Sequence, residues 1–248
     1  TRASTPMTHN RPILHLSSDD GPGPLRATAL SGPESGAPRP RFLHINPLAD
    51  PAHLASALAE PGAGPVCVWS GTLADPEEGL FARDPRTWMP AGLDALDGTV
   101  RGVLDKADAT GDHGRPALLL RPHARHVLCD PQRCLTLLDR WADLPVGLAL
   151  DASAMLEPSM LGAVEDHLAR ALEALGHHAA AVFLTDLRPA DPDEADAGFV
   201  PVPLGAGELA PILDRYAELV DAHAPADAPV VLLGPDPEGQ LARLRAGR

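Results

Sequence analysis

The segment LLLRPHARH, residues Leu118–His126, gathers four side chains able to hold an anion or move a proton: Arg121, His123, Arg125 and His126. A guanidinium offers forked N–H donors to a carboxylate or phosphate, and an imidazole exchanges protons near neutrality. The bland alternative for such a stretch after a strand is a solvated loop. Carboxylates that could work with it lie further on: Asp151 closes VGLALD, Asp186 closes VFLTD, and Glu208 sits in PLGAGEL. A positioned carboxylate can pass a proton between neighbouring atoms of a substrate. Asp151 and Asp186 are therefore the candidate catalytic residues. Arg121, His123, Glu208 and Trp69, the last residue of VCVW, are the candidate ligand contacts.

Other combinations carry less chemistry. Cys67, Cys129 and Cys134 are an odd, sparse set without the two-residue spacing of a zinc knuckle, so all three are expected to be structural. His177-His178 follows a helix end, where imidazoles complement the helix dipole. His15 and His44 end or interrupt early strands and are expected to be packed or hydrogen-bonded. Ser70 has no Gly-x-Ser-x-Gly elbow around it, which argues against a hydrolytic triad with Asp151. Gly205-Ala206-Gly207 is half a dinucleotide fingerprint and does not directly follow an apolar strand, so no Rossmann site is expected.

The elements that must position these residues alternate along the chain. Val66–Trp69, Ala117–Leu120, Val146–Asp151, Ala180–Leu184 and Val230–Leu233 are short apolar runs read as buried strands. Helical periodicity follows them, as in Leu93, Leu96, Val100, Val103 and Leu104, or Leu161, Val164, Leu168, Leu172 and Leu175 up to Gly176. Asp50-Pro51, Asp130-Pro131 and Asp236-Pro237 have the form of a capping Asp with Pro in the first turn. Parallel strands need such crossovers, so the pattern predicts an α/β fold. The front differs. Ile13–Leu16, Leu25–Leu30 and Phe42–Ile45 read as strands, but the linkers SSDDGPGP and SGPESGAPRPR are too short and too rich in Gly and Pro for helices. Residues 1–10 are expected to be a disordered tail, with Thr1–Pro6 a tag remnant or Met7 the native start, and 11–248 a single domain.

Composition narrows the function classes. Apolar residues make up 44% of the chain and aromatic ones 3%, which calls for a large aliphatic core. The net charge of −14 disfavours nucleic acid and anionic membrane as partners. No run reaches the roughly 20 apolar residues of a membrane span, and the first ten residues lack an apolar signal core. The expected location is the cytoplasm.

From Val66 onward the order of motifs resembles the xylose-isomerase-like barrel family of sugar-phosphate isomerases and epimerases. VCVWSG stands where the family has its Ser-Gly strand, LLLRPH where it has a Glu-Pro strand, and VGLALDASA where it has a strand ending in Asp. VFLTD stands for the strand that carries a His, PLGAGEL for the Pro-Leu-Gly-x-Gly turn, and VVLLG for the last strand. The resemblance implies a (β/α)8-like TIM barrel, here with its first one or two helices shortened or replaced by loops; an open sheet is the alternative. It also implies a divalent cation held by two Glu, an Asp and a His, acting as a Lewis acid on a sugar. Only Asp151 keeps its family type: the Glu, His and last Glu positions hold Arg121, Phe183 and Leu233 or Gly234, and a further His position holds Ala154. One ligand in four does not make a cage for Mg²⁺ or Mn²⁺. Arg121 is expected to fill the cation position and pair with Asp151.

The reading is a pseudoenzyme: an isomerase-like barrel with a degraded metal site, no cofactor, and a small sugar or sugar phosphate as ligand. The alternatives are an isomerase working through a rearranged, metal-free site, and a scaffold subunit. Self-association is compatible with each.

Overall fold

Proline and aspartate set the helix starts. Asp50 accepts a hydrogen bond from the His53 amide (3.0 Å), Asp130 from Arg133 (2.9 Å) and Asp236 from Gly239 (2.9 Å). In each pair the following Pro occupies the first turn, where its missing N–H costs nothing. The computed structural model describes residues 11–17, 26–31, 40–60, 64–108, 116–190, 198–234 and 236–246. The expected tail over 1–10 and most of the expected helix-replacing loops, 18–24 of the first and 32–39 of the second, lie outside the described residues.

In chain order the elements are β1 Ile13–Ser17, β2 Arg26–Ser31, β3 Arg41–Leu43, α1 Pro51–Leu58, β4 Val66–Trp69, α2 Pro90–Lys106 and β5 Leu118–Arg121. There follow α3 Pro131–Arg140, β6 Val146–Leu150, α4 Val164–Leu175, β7 Ala179–Phe183, β8 Asp186–Pro189 and β9 Phe199–Val202. The chain closes with α5 Leu213–His223, β10 Val230–Leu233 and α6 Pro237–Ala246. One eight-stranded sheet runs β2-β1-β10-β7-β6-β5-β4-β3. Seven of its strands are parallel, and β2 is antiparallel to β1.

Two expectations are corrected here. A closed eight-stranded parallel barrel is not formed: β2 runs the wrong way, and no ladder joins it to β3 among the described residues. The cause lies in the connection. Eight residues separate β1 from β2, whereas a parallel crossover needs a dozen or more; so short a link returns the chain antiparallel. The second correction concerns the segment after β7, where the strands read from the sequence pass directly from Ala180–Leu184 to Val230–Leu233. Asp186–Pro189 and Phe199–Val202 instead pair as a two-stranded ribbon, in register from Asp186↔Val202 to Pro189↔Phe199.

The sheet is nonetheless curled. Phe42 on β3 and Phe183 on β7 meet edge to face with ring centroids 5.4 Å apart. Four strand spacings of about 4.8 Å would hold them roughly 19 Å apart in a flat sheet. Strand residues therefore divide by phase. Leu14, Leu16, Cys67, Leu119, Ala149, Ala181 and Val231 join the two phenylalanines in an inner cluster. Their neighbours, such as Val68, Leu118, Leu120, Leu148 and Val182, pack outward on Leu54, Leu96, Leu137, Leu168 and Leu172 of the helices. Ala149 and Ala181 keep the interior narrow enough to fill, and inward positions at the C-terminal strand ends fall to Trp69, Arg121 and Asp151. No described helix is long and apolar enough to cross a membrane.

Candidate functional site at the strand ends

Trp69 and Arg121 are register partners on adjacent strands, so both side chains point inward at the same level. Phe183 approaches from the far wall. The Arg121 guanidinium lies over both rings, its central carbon 3.9 Å from the Trp69 centroid and 3.8 Å from that of Phe183. Its hydrogen bonds run to the end of the neighbouring strand. There its Nε donates to Oδ2 of Asp151 at 3.0 Å, and its Nη2 donates to the same oxygen. Among the described residues Nη1 makes no hydrogen bond.

Asp151 is fully buried, and an uncompensated carboxylate there would be costly. Its other oxygen, Oδ1, accepts from Ser153 Oγ (2.7 Å), Thr185 Oγ1 (3.0 Å) and the Ala154 amide (3.1 Å). Ser153 Oγ and Thr185 Oγ1 lie 2.6 Å apart; with one proton each, the two hydroxyls fill two of these three contacts at a time. The residues present do not fit the metal that the family resemblance implies. A cation occupies the place of one carboxylate ligand, and the retained carboxylate has its lone pairs committed. Among the described residues no group of three or more His, Cys, Asp or Glu side chains is placed to hold a metal ion.

The loop after β5 is not solvated. The Val127 amide donates to the Gly71 carbonyl (2.9 Å), Leu128 to Ser70 Oγ (3.3 Å) and Ala124 to the Ala154 carbonyl (2.8 Å), tying the loop to both neighbouring strand ends. His123, Arg125 and His126 are buried as a result, and they do not act as one cationic patch. Arg125 turns toward Glu157, 3.5 Å away. His123 and His126 pack with Trp69 and Phe81, Phe81 stacking on His126 at 5.5 Å. Burial, and then the charge or proximity of His126, Arg121 and Arg125, holds the His123 pKa well below the usual imidazole value. Burial likewise drives His126 down to about 4 against a partly opposing bond to the Leu80 carbonyl. At neutral pH both rings are uncharged.

Their tautomers follow from their partners. His123 Nδ1 accepts the Arg125 amide (3.0 Å), leaving its proton on Nε2, while His126 Nε2 donates to Leu80. At the rim, Trp69 Nε1 donates to His44 Nδ1 at 3.3 Å, so His44 also carries its proton on Nε2. Burial and then Arg121 lower the His44 pKa.

The remaining predicted residues lie elsewhere. Asp186 is buried and turned away from Asp151: Oδ1 accepts from the Leu187 and Leu209 amides (both 2.7 Å) and Oδ2 from Gly207 (2.8 Å). It anchors the 203–209 turn on the ribbon. Glu208 in that turn is exposed, with its amide on the Leu187 carbonyl. His15 faces outward and reaches the Gly234 carbonyl. The cysteines are free, and burial pushes the Cys67 thiol up to about 12. Sequence reasoning missed Phe81, Ser153, Thr185 and the role of Phe183. The alternation that gives Phe183, the last residue of β7, and Thr185 two residues beyond it the same inward phase was the available signal.

No protein-family model and no curated protein sequence matches the chain. Among solved structures, endonuclease IV from Thermus thermophilus is similar over 83% of this chain and 73% of its own, at 21% identity and TM-score 0.51. A xylose isomerase-like TIM barrel protein from Mycobacterium smegmatis in complex with magnesium matches 80% of this chain at 17% identity and TM-score 0.46. A xylose isomerase domain protein from Planctomyces limnophilus matches 81% at 15% identity and TM-score 0.48. The chain spans 65% and 62% of the lengths of the latter two, less than two thirds of each. At 21% identity the likeness to the endonuclease IV structure is one of fold alone, a curled, open α/β sheet with helices packed outside it.

Proposed function

We propose that this chain is a divergent, metal-independent member of the xylose-isomerase-like barrels that binds a small polar or anionic molecule at its C-terminal mouth. Sugars and sugar phosphates, the substrates of that family, belong to the class to be tried first. The observation that carries the reading is the Arg121–Asp151 pair. It puts a guanidinium where a cation would need a carboxylate, and leaves one N–H arm of that guanidinium without a partner in the described chain. An isomerase working without metal through Asp151, His123 and Asp186 finds less support. The oxygens of Asp151 and Asp186 are engaged by separate sets of donors, with no partner in common.

The test has two parts. Elemental analysis of the purified protein should find Mn, Mg and Zn far below one per chain; a stoichiometric metal overturns the reading. A thermal-shift panel of inorganic phosphate, sugar phosphates and small carboxylates should raise the melting temperature of the wild type with at least one anion. Native-state binding at a hundred times Kd adds about 2.7 kcal/mol. Arg121→Met should abolish that shift.

A further inference from the structure

Resting on that reading of the mouth as an anion site, we infer that its innermost seat takes a single halide ion, chloride or bromide. The half-open cleft beside Arg121 has a volume of about 20 Å³, which admits one guest of the size of a water molecule. A larger anion meets such a space with one oxygen at most, whereas a monatomic ion enters it whole.

The sign of the charge it takes follows from which groups reach it. Arg121 lines the cleft and Asp151 does not. Arg121 is bound to Asp151 along its Nε–Nη2 edge, so its Nη1 arm points the other way. That arm makes no hydrogen bond among the described residues and is not sealed from solvent. The cleft therefore meets the cation on the side away from its counter-ion. Burial and then the charge of Arg121 lower the pKa of His44, another lining residue, and Asp151 does not offset that charge there. The remaining polar side chains of the lining can donate. His44 carries its proton on Nε2, because Nδ1 accepts from Trp69, and burial keeps the Cys67 thiol protonated. Among the described lining side chains there is no carboxylate to repel an anion. Leu16 and Phe42 supply apolar wall, against which an ion sheds part of its water. That cost is lower for chloride and bromide than for the smaller fluoride, whose hydration is stronger.

The chlorine NMR line of sodium chloride tests the seat, because exchange with a protein-bound position broadens it. The full chain should broaden the line saturably at neutral pH. Bromide should narrow it again by displacement, and fluoride should do so at least tenfold less effectively. Arg121→Met combined with Asp151→Asn removes the cation without stranding its carboxylate, and Cys67→Met keeps the charge but fills the space. Each should remove the bromide-sensitive broadening, with circular dichroism checking the fold; the displacement series on the wild type stands without either variant. Broadening that bromide does not reverse, or that both variants keep, marks an adventitious surface ion only and overturns the halide seat. Absence of broadening alongside an Arg121-dependent thermal shift by inorganic phosphate overturns the seat and leaves the mouth an anion site. Absence of both overturns the seat and the site together.

Discussion

His126 pays for its position in the mouth with a titration that acid conditions expose. Its ring is fully buried, and burial brings its pKa to about 4, from 6.5 in an unfolded chain. Between those two values the unfolded state binds a proton that the folded state refuses, so stability rises with pH across that window and falls on acidification. About 2.5 pH units at 1.36 kcal/mol each put the loss on the order of 3 kcal/mol from pH 7 to pH 4. Denaturant unfolding between pH 4 and 7 should show this slope, and His126→Phe should reduce it, leaving the share of His123, which burial lowers in the same direction. An unchanged slope in the variant would assign it to other groups. At the same scale, Arg121 and Asp151 exchange mutual need: each is tolerable inside the ring because the other is there. Sequence phase alone left open whether Arg121 pointed to solvent; its register with Trp69 turns it inward.

At the scale of elements, the 203–209 turn and the β8–β9 ribbon form one unit clasped by Asp186. Close backbone approach makes that unit depend on Gly207, where an added Cβ would lie 2.1 Å from the Leu187 carbonyl oxygen. Gly207→Ala should therefore destabilise the protein by about 3 kcal/mol, since neither backbone can yield cheaply. Gly98 in the middle of α2 provides the contrast, because nothing lies within 4 Å of its added Cβ. Gly98→Ala should stabilise by about 0.5–1 kcal/mol through helix propensity and the unfolded chain. Urea denaturation of both variants reads the pair; equal effects would mean that the turn does not pack as described.

At the scale of the molecule, the sheet is a ring with a break. β6 and β7 have parallel neighbours on both sides, whereas β2 and β3 end the sheet. Hydrogen exchange should reflect that difference. Amides of β6 and β7 should exchange only through global unfolding, and those of β2 through local opening at much lower free energy. Uniform protection from β2 to β7 would be the mark of a closed ring.

From sequence alone came the alternation of strands and helices, the Asp-Pro helix starts and the run of apolar strand residues, together with the residue types, Arg121 and Phe183, at two positions where the resemblance implied metal ligands. All of these depend on local preference or on residue type at a position in a pattern, which a linear chain displays directly. The tertiary structure decided the rest. It turned the histidine-rich loop after β5 inward and neutral, because burial and neighbouring charge act only once the chain is folded. It gave Asp186 to a turn more than fifteen residues away and brought Phe42 against Phe183 across the ring. It also left the ring open, since the pairing of β2 follows from how short a link must return to β1, while the gap beyond it depends on where two distant strands come to lie.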